Sequence, residues 1–147
     1  MKNRITISII MACILCLLIS LTGMGCITKA SSARSALKTL LTYEKYNQWE
    51  EVWEMLHPDS QAVWGDINTF IKEMNHPTMS LKSFKIRGAR TTSEWTSRSI
   101  GKTYYDVVVF PTTLVYSTNC GEMERSLMIH TVQFDGSWKF FQQRDNQ

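Results

Sequence analysis

Three side chains of this chain have the types that proton-transfer chemistry uses: His130, Asp106 and Tyr104. An imidazole, a carboxylate and a phenol converging on one pocket make a general acid–base set. Strand alternation puts His130 on one face with Met128, Val132 and Phe134, and puts Tyr104, Asp106, Val108 and Phe110 on one face of a neighbouring strand. Tyr105 and Tyr116 are alternative phenols. The wider expectation is a binding pocket lined by His130, Tyr104, Val108, Phe110, Met128 and Trp64, with no catalytic step. The plainer reading is a hydrogen-bonded histidine in a mixed core, with Asp106 facing solvent. His57 and Asp59 flank Pro58 and form a second possible acid–base pair. Helix-end chemistry also explains them, with Asp59 as a cap and His57 at a helix C-terminus, where a cation is favoured. The histidines His57, His76 and His130 are widely spaced with neither HxH nor HxxxH, and the one CxxC, Cys13-Ile14-Leu15-Cys16, lies inside the apolar stretch Ile5–Thr22. No glycine-rich phosphate loop or G-x-S-x-G elbow is present. Neither a metal nor a cofactor is therefore expected.

The elements that must position these residues are legible from periodicity. Leu37, Leu40 and Leu41 predict a helix from about Ser35, capped by Ser32 or Ser35, to about Tyr46. Trp49, Val52, Trp53 and Leu56 fall at i, i+3, i+4 and i+7, and this second helix must stop at His57-Pro58, because the residue before proline leaves the helical region. Asp59 and Ser60 can cap the next helical turn. Val63, Trp64, Ile67, Phe70, Ile71 and Met74 keep helical spacing, split at Gly65-Asp66 and ended by Asn75-His76-Pro77. The helical spacing of Trp49, Trp53 and Trp64 assigns them to the core rather than to a ligand.

From Ser80 the period changes. One or two strands with a turn somewhere in Arg90–Ser99 are expected, then a strand over Tyr104–Phe110 continuing through Thr112–Ser117. Pro111 cannot donate to a ladder and implies an edge or a bulge. Thr118–Glu122 makes a hairpin turn, Arg125–Phe134 pairs back, Asp135-Gly136 is a tight-turn signal, and Trp138–Gln142 closes the sheet. Helices first and antiparallel strands after define an α+β domain with helices on one face of a bent sheet.

The N-terminus has a different character. Lys2 and Arg4 precede an apolar run from Ile5 to Thr22, a secretory leader or membrane anchor. The sequence Gly23-Met24-Gly25-Cys26 after that run resembles a bacterial lipoprotein signal, although Gly23 stands where that signal usually has leucine. The resemblance implies cleavage before Cys26, lipid on Cys26, and a cell-membrane location on the extracytoplasmic face. An uncleaved anchor and simple secretion are the alternatives, and both also export the domain. The boundaries are a leader at 1–25, a tether at 26–34 and a domain at 35–144. Loss of Lys2 and Arg4 lowers the net charge from +3 to about +1, so the basic balance is no nucleic-acid signal. Cys13 and Cys16 leave with the run and Cys26 takes lipid, which leaves Cys120 without an intramolecular disulfide partner. The fold must then be held by its core.

Charge is also uneven. Tyr43–Asn75 carries seven acidic and two basic residues, while Lys82–Lys102 carries six basic and one acidic. These are either ordinary solvated faces or surfaces that meet an anionic lipid, a wall polymer, an acidic partner or a second copy.

The run Trp49–Gln61 (WEEVWEMLHPDSQ), the helical start and a meander closing on Phe134-Asp135-Gly136-Ser137-Trp138-Lys139 together resemble the NTF2-like (cystatin-like cone) superfamily, closest to its small lipid-anchored bacterial members. The resemblance spans about Ser35 to Arg144. It implies a cone made by a curved sheet wrapped on a long helix. Functions in that superfamily range from isomerases and dehydratases to non-catalytic binding and assembly modules, so fold alone does not choose. The expectation is a membrane-tethered binding or assembly module of a small molecule, a protein partner or a homodimer. An isomerase-like enzyme using His130, Asp106 and a tyrosine is one alternative, and a structural subunit of a cell-envelope complex is another.

Overall fold

The computed structural model describes residues 29–142, so the apolar run and Cys26 lie outside the described residues. The first helix, α1, occupies 29–45 and is followed by three short helices: α2 (Trp49–Met55), α3 (Pro58–Trp64) and α4 (Ile67–Met74). Five strands complete the domain: β1 (Met79–Ile86), β2 (Arg90–Thr96), β3 (Thr103–Thr118), β4 (Gly121–Phe134) and β5 (Ser137–Phe141). The result is the expected α+β arrangement, with helices against a curled antiparallel sheet, a half-barrel. Among the described residues no helix is long and apolar enough to cross a membrane.

Helix boundaries obey local chemistry. Residues 29–34, expected as tether, are helical instead, and Ala33 is fully buried. Arg34 donates to the carbonyls of Ile86 (3.2 Å) and Arg87, which fixes α1 to the end of β1. The cap of α3 is His57 rather than Asp59. Its Nδ1 accepts from the Asp59 amide at 3.2 Å, and Pro58 takes the first helical position, where a missing N–H costs nothing. Asp66 caps α4 as its position predicts, accepting from the amides of Asn68 (2.8 Å) and Thr69 (3.0 Å).

The sheet order is β1-β3-β4-β5, with β2 also paired to β3. The 16-residue β3 is long enough to serve two partners on one side: its Thr112–Thr118 end pairs β1 and its Thr103–Val109 end pairs β2. The turn expected inside Arg90–Ser99 falls at its end, at 98–100, while β1 and β2 are joined at 87–89 and Arg90–Thr96 is a strand. Pro111 therefore sits in a central strand. Its carbonyl accepts from the Arg87 amide at 2.9 Å, on the side where β1 ends and β2 begins. A strand residue's N–H and C=O point to the same side, so the missing donor faces that break in the ladder and no sheet bond is lost. At the β4–β5 turn, Asp135 (φ 50°) and Gly136 (φ 75°) both adopt the left-handed conformation that a two-residue hairpin needs.

Each face of the sheet has its own core. The helix side buries Leu37, Leu41, Val52, Leu56, Phe70, Val108, Phe110, Leu114 and Ile129. Phe70 is central there, with its ring 5.3 Å from both Trp53 and Trp64 and 6.4 Å from Trp49. The opposite face buries Val107, Val132 and Phe141, with Trp95, Tyr104 and Val109 packed around them.

Candidate functional site

Between the helices and the sheet lies a cavity of about 700 Å³. Its apolar wall comes from Leu40 and Leu41 of α1, Val52 of α2, and Leu81, Leu114 and Ile129 of the strands. Trp49, Trp64 and Tyr116 add aromatic surface.

The polar end of this cavity is built by two elements that meet across it. Glu44 continues the helical spacing of Leu37, Leu40 and Leu41, so α1 must turn a carboxylate toward its own buried side. Tyr116 lies on β3 in line with Val108, Phe110 and Leu114, the helix-facing parity. The Tyr116 hydroxyl donates to Glu44 Oε1 at 2.9 Å. Burial raises the Glu44 carboxyl above its ordinary range. The Tyr116 hydrogen bond and the positive charge of Arg125, which also lines the cavity, work against that rise. Tyr116 is itself raised, first by burial and then by the Glu44 charge. Glu44 is thus a carboxyl under apolar pressure, held in one orientation, at a place that solvent still reaches. Such a group can accept a hydrogen bond, pair with a cation or exchange a proton.

The acid–base set expected from sequence is distributed differently. Asp106 has φ 53° and an exposed side chain. The left-handed residue breaks the alternation of β3. Tyr104, expected on the face of Val108 and Phe110, lies on the opposite face with Trp95 and Phe141. Aspartate tolerates this conformation better than most residues, and sequence periodicity gives no sign of it. His130 keeps the expected parity with Val132 and stacks on Trp95 at 4.1 Å and 14°. Burial lowers its pKa. The hydroxyl of Tyr104 is committed to Asp59 Oδ2 at 2.8 Å. No hydrogen bond joins His130, Asp106 and Tyr104 among the described residues. The pocket residues divide as well. Trp64, Met128 and His130 reach the cavity wall, whereas Val108 and Phe110 are fully buried in the helix-side core.

His57 and Asp59 belong to a network on the outer face. Asp59 accepts from Lys102 Nζ at 2.6 Å and from Tyr104, and the Lys102 bond is the first cause of its lowered pKa. The His57 ring stacks on Phe141 at 4.8 Å and meets Phe134 and Tyr104 edge-on at 4.9 Å and 5.2 Å. Burial among these rings lowers its pKa, with the Asp59 charge opposing. The arrangement ties α3 to β3 and buries the imidazole among these rings. Cys120 is exposed in the two-residue β3–β4 turn. Among the described residues no group of three or more His, Cys, Asp or Glu side chains is placed to hold a metal.

Sequence reasoning missed Glu44 and Arg125 and named Tyr116 only as an alternative phenol. The available signal was a charged residue on the apolar stripe of a helix, a position that rarely carries one without a partner.

No protein-family model matches the chain, and no curated protein matches it. Among solved structures, a SEC-C motif-containing protein from Psychrobacter arcticus is similar in backbone arrangement. It is 14% identical with a TM-score of 0.46, and the match covers 77% of this chain and 60% of that one. This chain therefore matches less than two thirds of that protein's length.

Proposed function

We propose that the chain is an exported, membrane-tethered binding module of the NTF2-like kind, whose cavity holds a small molecule with an apolar body. The cavity carries this reading. Its volume of about 700 Å³ falls in the range of small-molecule sites, and apolar and aromatic walls that also carry polar groups such as the Glu44–Tyr116 pair are the usual composition of such a site. The apolar run Ile5–Thr22 and Cys26 support the tether, and the helices-then-meander order supports the NTF2-like assignment.

Two measurements test it. A hydrophobic fluorophore should bind the full chain in lipid nanodiscs at one per chain, and Leu114→Trp, which fills the cavity from β3, should abolish that binding while the fold persists. Binding unaffected by Leu114→Trp, or none above empty nanodiscs, refutes the reading. For the tether, Cys26→Ser should release the domain from the membrane fraction, and intact-mass measurement should find the lipid on Cys26.

An enzyme of the isomerase or dehydratase type is the second reading, favoured by the raised carboxyl of Glu44 beside a tyrosine hydroxyl. In that reading the acid–base residue is Glu44, not His130.

A further inference from the structure

We infer that the open edge of β4 is a docking site for an extended peptide of a partner protein, which joins the sheet as one more strand. The inference goes beyond the cavity reading and does not rest on it.

The ladder is the first observation. β4 pairs β3 without a break from Gly121 to Thr131, but β5 covers its other edge only from His130 to Phe134. The two-residue Asp135-Gly136 turn makes Phe134 and Ser137 a hydrogen-bonded pair, so Phe134, Val132 and His130 turn their N–H and C=O groups toward β5. By the same alternation Met128, Ser126, Glu124 and Glu122 turn theirs to that side, beyond the end of β5. The His130 ring takes the Met128 backbone, and no described residue bonds the edge-facing groups of Glu122, Glu124 and Ser126. This stretch is exposed from Gly121 to Ser126.

The other edges of the sheet are blunted, as edges of soluble proteins usually are. The His57 amide donates to the Phe140 carbonyl of β5 at 2.9 Å. β1 has a register shift between Leu81 and Ser83, carries Lys82 and Lys85, and gives its Ile86 carbonyl to Arg34. β2 carries Arg90 and Glu94, and the Thr92 hydroxyl takes the Glu94 carbonyl at 2.8 Å. A row of backbone donors and acceptors is matched by another extended backbone, the basis of strand addition.

The second observation is what the edge borders. Met123, Leu127 and Ile129 line the cavity from the helix side, and Met128 and His130 line it from the opposite parity. A cavity beneath the sheet reaches both faces of β4 only by opening past its edge, where β5 ends. Met123 is 42% exposed and Met128 52% exposed there. Flexible thioethers adapt to varied apolar side chains, so alternate residues of an added strand find apolar contact.

Charge separates the occupants. Glu122 pairs with Lys82, while Glu124 has no ion pair among the described residues. The β4 edge of a second copy would bring the same carboxylates to the joint, whereas a strand with basic residues between its apolar ones complements them.

The probe is a fluorescent peptide, acetyl-TKVKVKVT-amide, read by anisotropy against the full chain in zwitterionic lipid nanodiscs with empty nanodiscs subtracted. Two methylated forms carry N-methyl groups on the lysine amides or on the valine amides. In a bound strand one set faces β4 and the other faces solvent, so one form should lose about tenfold or more in affinity and the other should keep it. The glutamate counterpart, acetyl-TEVEVEVT-amide, should bind about fivefold more weakly, and Glu124→Lys should remove that difference. Ser126→Pro should also cost about tenfold, and it spares the β3 ladder because the Ser126 N–H faces the open edge. No binding of the lysine peptide above empty nanodiscs, or equal affinity of the two methylated forms, overturns the inference. So does a dimer of the chain that Ser126→Pro dissolves, which assigns the edge to a second copy, and so does binding that needs deletion of residues 143–147. Should Ser126→Pro not fold, the methylated pair on the unaltered chain still decides.

Discussion

The two faces of one sheet solve opposite problems. The helix side carries the larger core yet keeps a cavity of about 700 Å³, with Glu44 and Tyr116 at its polar end. The outer side is smaller but filled: His57, Trp95, Tyr104, His130, Phe134 and Phe141 touch ring to ring, and Asp59 pins Lys102 and Tyr104 over them. A face closed by helices can retain space because the helices span it. The other face is packed mainly by aromatic rings, joined by His57 and Asp59 at the start of α3. Polar groups divide in the same way. On the filled face Asp59 accepts from both Lys102 and Tyr104, while Glu44 at the cavity accepts from Tyr116 through one oxygen.

The largest expected effect lies at the keystone of the helix side. Phe70→Ala should destabilise the domain by about 3–5 kcal/mol, read from the urea unfolding midpoint, because it removes the ring on which Trp49, Trp53 and Trp64 converge. A loss below about 1 kcal/mol would mean that the helices are not seated through this ring.

The sharpest comparison is a matched pair of enlargements. Val107→Phe, on the filled face, should cost about 1–3 kcal/mol by overpacking. Leu114→Phe, on the cavity side, should cost less than about 1 kcal/mol, since the added atoms enter existing space. Equal costs would erase the distinction between filled and open faces.

Tyr104→Phe should remove about 1–2 kcal/mol by leaving Asp59 one donor short, without touching ligand binding in the cavity. A loss of binding equal to that of a cavity variant would couple the two faces.

The smallest effects concern pH, and their signs differ between the faces. His57 and His130 are both lowered by burial, so their contribution to stability is complete above the ordinary histidine value of 6.5 and is lost as pH falls through it toward their lowered values. The melting temperature should therefore drop between pH 7.5 and 5.5, less steeply in His57→Asn, which retains a cap acceptor. Glu44 runs the other way. Its raised carboxyl favours folding fully below the ordinary glutamate value of 4.5, and that contribution fades as pH rises through the raised value. Glu44→Gln should melt slightly higher than the unaltered chain at pH 7.5, with the gain gone at pH 4.

Much of this was legible in the residues. The helical spacing of Trp49, Val52, Trp53 and Leu56, the Asp66 cap and the Asp135-Gly136 turn depend on neighbours within a few positions, and local chemistry fixed them. The Pro111 expectation was half right. The residue does need a place without a donor, but that place is a break between two partner strands, which no local pattern encodes. Tyr104 was assigned to the wrong face for a similar reason, since alternation assumes every residue between is extended, and Asp106 is not.

By itself the sequence determined helices before strands, the helix break at Pro58, the Asp66 cap and an α+β class, because each rests on steric preference or on burial periodicity within a short window. Only the tertiary structure decided that β3 would serve two partners, that Glu44 would meet Tyr116 from a residue 72 positions away, and that space would remain between them. Those are properties of side chains brought together by closure of the sheet on the helices. Which groups converge, and how much volume they fail to fill, is set by packing over the whole domain.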